Sequence, residues 1–175
     1  MGNSIGNEGK EICHTVKNVD LNRFMGKWYR IASLINEFES NESYDVTVEY
    51  SMGVNNEIKI STEEFIGDKK IKSISHAIPI HWKKSSCYGS QFNLKPDFKR
   101  HESEIRFYFI LDLDRTNYEH AVVGSQDWLW IINRKPQMDA YDYGLLLHKL
   151  KMRFKNFYNI QDIEVTSQNY INFKT

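Results

Sequence analysis

Most of the chain alternates apolar with polar residues, the pattern of a half-buried β-strand. Val46, Val48 and Tyr50 alternate with polar residues, and Ile58 and Ile60 repeat the pattern after a turn. Further strand-like runs cover residues 70–78, 87–94, 104–112, 118–124, 127–133 and 163–167. Because these runs are joined by short turns rather than by helices, the pattern predicts an all-β sandwich or closed barrel.

One segment, residues 139–157, changes to a helical period. Apolar side chains recur there at spacings of three and four, at Tyr143, Leu146, Leu147, Leu150 and Phe154. Cations occupy the opposite face and the last turn, where they suit the negative end of the helix, at Lys149, Lys151, Arg153 and Lys155. We interpret the segment as an amphipathic helix packed on the sheet, with a solvated basic face rather than a membrane-binding one.

The composition of the chain narrows the possible classes of protein. The chain has 175 residues, which suits one domain with a real core. Lys and Arg number 23 and Asp and Glu number 23, and this balance argues against a nucleic acid partner. No apolar run approaches the about 20 residues that a membrane-spanning helix needs. Aromatic residues make up 14% of the chain, which indicates a folded protein.

The chemistry-bearing residues do not form a catalytic or metal-binding pattern. Cys13 and Cys87 have no cysteine or histidine at zinc-site spacing, so no metal site is predicted. They are either two separate thiols or one long-loop bridge, and a bridge would imply an oxidising compartment. No histidine is placed by sequence to activate Cys87, and no Ser-His-Asp arrangement is visible. We therefore expect a non-enzymatic protein without a cofactor.

Residues 1–14 are predicted to be a flexible polar segment. They contain no apolar run of the kind that a secretory signal requires. Two interpretations remain open at this point: a cytosolic protein, or a protein whose signal was removed before this numbering begins.

Three motifs carry a family resemblance. The first is Gly26-Lys27-Trp28-Tyr29 within residues 20–32, and the second is residues 113–123, which include Asp114. The third is residues 127–136, in which a strand ends in Asn133-Arg134-Lys135-Pro136. In this order and spacing they resemble the lipocalins, over roughly residues 15–168. The residues in these motifs are most similar to those of the bacterial lipocalin and apolipoprotein D-like branch.

The resemblance implies an all-β fold. We expect an eight-stranded antiparallel up-and-down calycin (lipocalin) barrel over residues 15–168, with a C-terminal α-helix at about 139–157 on its side and a tail at 169–175. It also implies that Gly26, Trp28 and Arg134 close one end of the barrel. The Arg134 guanidinium would stack on the Trp28 ring, a cation–π contact of about 1–2 kcal/mol.

The same register implies a ligand cup at the other end. Inward positions on five strands are Ser73, Ser75, Ala77, Tyr88, Ser90, Phe92, Tyr108, Ile110, His120, Val122, Trp128 and Trp130. Ligand contacts are predicted for Trp130, Tyr108, Phe92, Tyr88, His120 and Trp128, with Arg106 as a headgroup partner. Trp82, Lys83 and Lys84 are placed in a mouth loop, as a lid and further headgroup partners.

The expected function is binding and transport of a small hydrophobic ligand, such as a fatty acid or lysolipid. One alternative is a haem, tetrapyrrole or pigment ligand, and another is a structural or oligomeric protein whose barrel is largely filled. Disulfides in apolipoprotein D-like members often tie the N-terminal segment to the barrel, so the resemblance favours a Cys13–Cys87 disulfide and a secreted or lumenal (vacuolar) location. Membrane contact without spanning, and homo-oligomers, are compatible with this interpretation.

Overall fold

The computed structural model describes residues 15–34, 42–54, 57–80, 90–96, 106–125, 127–155 and 158–168. A short helix α1 (Leu21–Phe24) is followed by eight long strands and a side helix, α2 (Ala140–Phe154). The strands are β1 (Gly26–Leu34), β2 (Tyr44–Met52), β3 (Ile58–Ile66), β4 (Lys69–Pro79), β5 (Gln91–Pro96), β6 (Arg106–Leu113), β7 (His120–Gly124) and β8 (Leu129–Asn133). A 3₁₀ turn (Ile160–Asp162) and a two-residue strand, β9 (Glu164–Val165), follow α2.

The eight long strands form a closed antiparallel barrel. Each strand from β2 to β8 pairs with the next, and β1 joins β8 to β2. Closure removes the exposed edges that an open sheet would leave. The predicted eight-stranded calycin barrel with a side helix is therefore confirmed.

The short strand β9 occupies a seam where β1 and β2 diverge. Thr166 N–H donates to Ile31 O at 2.8 Å, and Asp45 N–H donates to Ser167 O at 2.9 Å. The Gln168 side-chain amide spans the seam, donating to Arg30 O at 2.8 Å and Val46 O at 3.3 Å. These bonds satisfy backbone groups that the divergence of the two strands would otherwise leave unpaired.

Two apolar clusters lie on opposite faces of the barrel wall, as strand alternation requires. The inner cluster fills the barrel and includes Trp28, Val48, Tyr50, Ile58, Ile60, Phe92, Tyr108, Ile110, Val123 and Ile132. The outer cluster lies between the wall and α2 and includes Ile31, Phe109, Leu111, Val122, Leu129, Ile131, Leu146, Leu150 and Phe154. Strands β6, β7 and β8 contribute to both, so they are covered on both faces.

Helix α2 begins at a cap and is held by an ion pair. The Asp139 carboxylate accepts from the backbone N–H groups of Tyr141 and Asp142, at 2.8 and 3.3 Å. On the side of α2 that faces the barrel, the buried Asp112 carboxylate of β6 contacts Lys149 Nζ at 2.7 Å and Arg153 Nη1 at 3.1 Å. Within the described residues, no helix is both long and apolar enough to cross a membrane.

Candidate ligand-binding cup

The closed end of the barrel is built around Arg134. Its guanidinium carbon lies 3.8 Å from the ring centroid of Trp28. Its N–H groups donate to five backbone oxygens at 2.7–3.3 Å, those of Tyr118, Lys27, Arg23, Phe24 and Met25. Trp28 is fully buried and donates from Nε1 to Phe24 O at 2.9 Å. The pair therefore joins α1, β1 and the residue after β8 into one plug.

Gly26 lies close to this plug. Its φ of +96° is a conformation that glycine adopts without strain. A Cβ at this position would lie 3.4 Å from Arg134 Nη1. The glycine thus provides the turn from α1 into β1 beside the guanidinium.

The loop after β6 also closes this end. Burial raises the pKa of Asp114, but backbone N–H groups of Asn117, Glu119 and Thr116 outweigh that effect and lower the pKa. Asp114 thus holds the loop as an ionised carboxylate. Tyr118, later in this loop, has a φ of +58°. The guanidinium carbon of Arg23 lies over its ring, 4.1 Å from the ring centroid, in a cation–π contact.

Aromatic rings form a continuous chain from the closed end towards the open end. Phe24 lies 5.1 Å from Trp28 and 5.0 Å from Tyr50, measured between ring centroids. Tyr108 then lies 6.3 Å from Tyr50 and 5.6 Å from Trp128. The chain continues from Trp128 to Trp130 at 5.5 Å, and Phe92 joins it beside Tyr108 at 6.5 Å.

The floor of the barrel is closely packed. Tyr50 and Tyr108 are buried and share a hydrogen bond between their hydroxyl groups. Burial raises the pKa of each well above its ordinary value, so both stay neutral. No space large enough for a water molecule remains between the side chains that form this floor, which are Phe24, Tyr50, Ile58, Ile60, Ala77, Phe92, Tyr108 and Ile110.

Above this floor, the inner wall is aromatic on one side. Trp128 and Trp130 pack on the inner cluster and keep part of their surfaces accessible. Arg106 is exposed at the start of β6, on the same strand face as Tyr108 and Ile110, which places it on the inner side of the mouth. The predicted ligand residues Trp130, Trp128, Tyr108, Phe92 and Arg106 thus share the inner face of the barrel.

The opposite wall, formed by β3 and β4, is polar near the mouth. Ile60 pairs with Ser75 and Thr62 pairs with Ser73, on the face that Ala77 shares with the inner cluster. Ser73 is exposed. The cup is therefore two-sided, with indole rings facing small hydroxyl side chains.

Gly124 holds the tryptophan turn in place and was not singled out from the sequence. A Cβ at Gly124 would lie 2.6 Å from the backbone oxygen of Trp128, closer than a side chain tolerates. Ser125 N–H donates to that same oxygen at 2.9 Å. The absence of a side chain at Gly124 therefore allows the turn that aims Trp128 inward.

Sequence reasoning also missed Arg30. Its side chain is 3% exposed, its guanidinium carbon lies 5.3 Å from the Trp130 ring centroid, and its Nε donates to Thr166 Oγ1 at 3.0 Å. Arg30 is two residues beyond Trp28, so strand alternation could have placed it on the inner face. It puts a positive charge beside the tryptophan wall.

The expectation for His120 and Val122 was wrong. Val122 belongs to the outer cluster, and the inner positions of β7 are Ala121 and Val123. His120 shares the outer parity of Val122 and lies beside Asp114 at the closed end, where its backbone oxygen accepts from Asp114 N–H at 2.9 Å. His120 is therefore outside the cup.

Several predicted residues lie outside the described residues: Cys13, Trp82, Lys83, Lys84, Cys87 and Tyr88. The strand ends on either side of residues 81–89 can nevertheless be placed. Pro79 pairs with Phe92, and Ile80 N–H donates to Gln91 O, both in the half nearer the closed end. These described ends of β4 and β5 therefore lie away from the mouth, and the predicted lid and headgroup residues between them stay a prediction.

Metal chemistry has no support in the part of the chain that the structure describes. There, no three His, Cys, Asp or Glu side chains come together in a way that could hold a metal ion. Of the described histidines, His76 lies on the outer face of β4 beside Glu57, and His148 is exposed on α2.

Comparison with known proteins identifies this architecture. The lipocalin-like domain family matches residues 19–168. The chain belongs to the lipocalin family. This lipocalin is 25% identical over 177 residues to temperature-induced lipocalin-1 of Arabidopsis thaliana, covering 92% of this chain and 85% of that protein. It is 27% identical over 130 residues to outer membrane lipoprotein Blc of Vibrio cholerae, covering 71% and 70%.

Solved structures give the same fold. Insecticyanin from the tobacco hornworm Manduca sexta is similar with a TM-score of 0.70 at 16% identity, over 90% of this chain and 85% of that one. Lobster apocrustacyanin A1 is similar with a TM-score of 0.63 at 18% identity, over 86% and 80%. Lipocalins are generally binding proteins for small hydrophobic molecules rather than enzymes.

Proposed function

We propose that this lipocalin binds and transports a lipid, such as a fatty acid or lysolipid, in the upper half of its barrel. The observation that carries the proposal is the pair Trp128 and Trp130, half-buried on the inner wall above a packed floor. Indole rings that keep accessible surface inside a barrel are the surface that an apolar chain would cover.

The packed floor sets the depth of the ligand. Because the floor residues below the tryptophans leave no room even for a water molecule, the apolar chain lies along Trp128 and Trp130, and any deeper part displaces Tyr108 or Phe92. Each methylene buried there contributes about 0.8 kcal/mol.

Charge supports an acidic headgroup. Arg106 lies at the mouth on the inner face, and Arg30 lies beside Trp130. A carboxylate or phosphate at the upper end of the ligand would meet Arg106, with which it can form strong charge-assisted hydrogen bonds. Arg30 would add positive potential deeper along the tryptophan wall. A neutral ligand would form no ion pair with these arginines.

Two other functions have some support. The flat ring surfaces of Trp128, Trp130 and Tyr108 also suit a pigment. A haem iron, however, would find no histidine on the inner face of the described residues. The close packing of the floor is what a filled, structural barrel would show.

Titration of the full chain with a fluorescent fatty acid tests the proposal. We expect saturable binding with one site, which Trp130→Ala weakens about tenfold to a hundredfold, because the lost aromatic contact is worth about 1.5–3 kcal/mol. The matched control is His120→Ala on the outer face, which should bind as the unchanged protein does.

The outcomes separate the three functions. Displacement of the probe by oleate and lysophosphatidic acid, but not by haem, supports the lipid. Tight haem binding with a shifted absorption spectrum would favour the pigment. Absence of saturable binding by any of these molecules would leave the filled barrel.

We further propose that the protein works in a secreted or lumenal compartment with Cys13 bridged to Cys87. The family resemblance and the presence of two cysteines support this. Mass measurement of the protein isolated from its source, with and without reductant and thiol alkylation, tests it. Two alkylated thiols without reductant would overturn the bridge.

A further inference from the structure

The outer face of α2 carries an apolar stripe, which we define as Tyr141, Leu145 and Met152. These side chains are 72%, 51% and 67% exposed. Their spacings of four and seven residues place them on one line along the helix, with exposed His148 between the last two. The line lies opposite the buried side chains Leu146, Leu150 and Phe154. A helix that already buries one apolar face therefore presents a second one to solvent.

The stripe is unusual for this molecule. The other exposed large apolar residues of the described chain are Met52, Val54, Ile71 and Val165, which belong to separate strands and turns. Scattered apolar residues of that kind are normal on a protein surface. Three aligned on one helix face are not scattered in this way, which makes this face a candidate contact surface.

Positive charge surrounds the second half of the stripe. Residues 143–155 contain four cations, Lys149, Lys151, Arg153 and Lys155, and no carboxylate. Asp112 meets Lys149 and Arg153 on the barrel side. Lys151 and Lys155 are exposed and have no ion pair among the described residues. The stripe thus faces outward in a positive field.

The shape and area of the outer face of α2 indicate which kind of partner it contacts. The helix is about 22 Å long and about 10 Å wide, so its outer face offers about 220 Å², well below the about 800 Å² per partner of a stable dimer. A convex line of Tyr, Leu and Met flanked by lysines instead fits a flat anionic surface. Interfacial helices bury apolar side chains among lipid headgroups and hold anionic lipids with lysine and arginine.

We propose that the outer face of α2 docks this lipocalin on an anionic lipid surface, with the stripe inserted among the headgroups and Lys151 and Lys155 against their negative charges. The exposed stripe is the reason to depart from the interpretation, made from the sequence, of a basic face that is only solvated. Since the stripe is outside the barrel, this docking is independent of the proposed ligand cup. Binding should be reversible and sensitive to salt, because the insertion is shallow and part of the attraction is electrostatic.

Vesicle flotation of the full chain tests the proposal. We expect flotation with vesicles of phosphatidylcholine and phosphatidylserine at low salt, loss of it at high salt, and none with phosphatidylcholine alone. The double variant L145Q/M152Q should lower the partition coefficient at least about tenfold, since glutamine keeps helix propensity and removes the apolar insertion. The double variant K151Q/K155Q should lower it by about fivefold per charge.

The matched control is V54Q/I71Q, which removes two exposed apolar side chains elsewhere and should float as the unchanged protein does. Circular dichroism of each variant establishes that the fold is retained. No flotation of the unchanged protein, equal flotation of L145Q/M152Q, or loss of flotation in the control would each overturn the proposal. A concentration-dependent dimer that L145Q/M152Q abolishes, without vesicle binding, would overturn it in favour of a second copy.

Discussion

Among the described residues, tryptophan pairs with arginine at two places, one towards each end of the barrel, and the two pairs differ in how much of the ring is covered. At the closed end, Trp28 is fully buried under Arg134 at 3.8 Å. Towards the mouth, Trp130 keeps accessible surface and the Arg30 guanidinium lies 5.3 Å from its centroid. The same two residue types thus serve structure at one end and leave a contact surface at the other.

The comparison teaches that burial of the ring decides the role of each pair. Arg134 donates its N–H groups to backbone oxygens of three segments, and these hydrogen bonds hold the segments together. Trp130 instead continues a row of rings that opens towards the mouth. Stability should therefore depend on the closed end, and affinity on the open end.

The largest expected difference is between the two tryptophans. Trp28→Ala should lower the free energy of unfolding by about 3–5 kcal/mol, because a fully buried indole leaves a cavity. Trp130→Ala should cost no more than about 2 kcal/mol, because its ring is already partly exposed. Urea denaturation of both variants measures the difference, and equal losses would contradict the comparison.

The second largest expected effect on stability is that of replacing Arg134, the cation at the closed end. Arg134→Gln should destabilise by about 3 kcal/mol, since it takes away the cation–π contact and leaves backbone oxygens without their donor. Lys135→Gln is the neighbouring control, because the Lys135 side chain forms an exposed ion pair with Glu119 at 3.9 Å. It should change stability by less than about 0.5 kcal/mol. A similar small effect in both would show that the plug contributes little.

The tyrosine pair between the two ends gives a pH-dependent test. The pKa of Tyr50 and of Tyr108 is raised by burial, so the unfolded chain loses these protons first as pH rises. Stability is therefore fully present below about pH 10 and falls above it, by up to about 1.4 kcal/mol per pH unit for each tyrosine.

The variant Y50F/Y108F should lose part of this alkaline slope in urea denaturation series, whereas Tyr141→Phe, at an exposed position, should keep it. An unchanged slope in Y50F/Y108F would mean that the pair is ionised as readily in the folded protein as in the unfolded one.

The smallest effect concerns the helix. Asp112→Asn keeps the shape of the side chain but removes the charge that Lys149 and Arg153 contact, so it should cost about 1 kcal/mol. High salt should reduce this difference between the variant and the unchanged protein. A difference that stays constant with salt would point to packing instead.

Much of this architecture could be predicted from the sequence. The alternation in β2 and β3 is plain because each has one covered face, and the motifs around Trp28 and Arg134 identify the closed end. Strand β7 defeats the same reasoning, since the run Ala121-Val122-Val123 is buried on both faces and has no alternation to read. The preceding loop, with Tyr118 at positive φ, and the irregular pairing near Asp112 hide its register.

The site was harder to predict than the fold. Trp130 and Tyr108 follow from the family register, but Arg30 looks like part of the Gly26–Trp28 motif until strand alternation is followed past it. Gly124 has no local signal, because its importance comes from the backbone of Trp128, which approaches it across the turn. The sequence alone also did not show which end of the barrel β4 reaches, because its small inner residues look alike at both ends.

Quenching by a brominated fatty acid tests the central claim most directly, because bromine quenches only tryptophans that it touches. The account predicts strong quenching in the unchanged protein, the same quenching in Trp28→Phe, and a large loss of quenching in the double variant W128F/W130F. Quenching that survives in W128F/W130F, or that disappears in Trp28→Phe while the fold is retained, would contradict a ligand site at the open end.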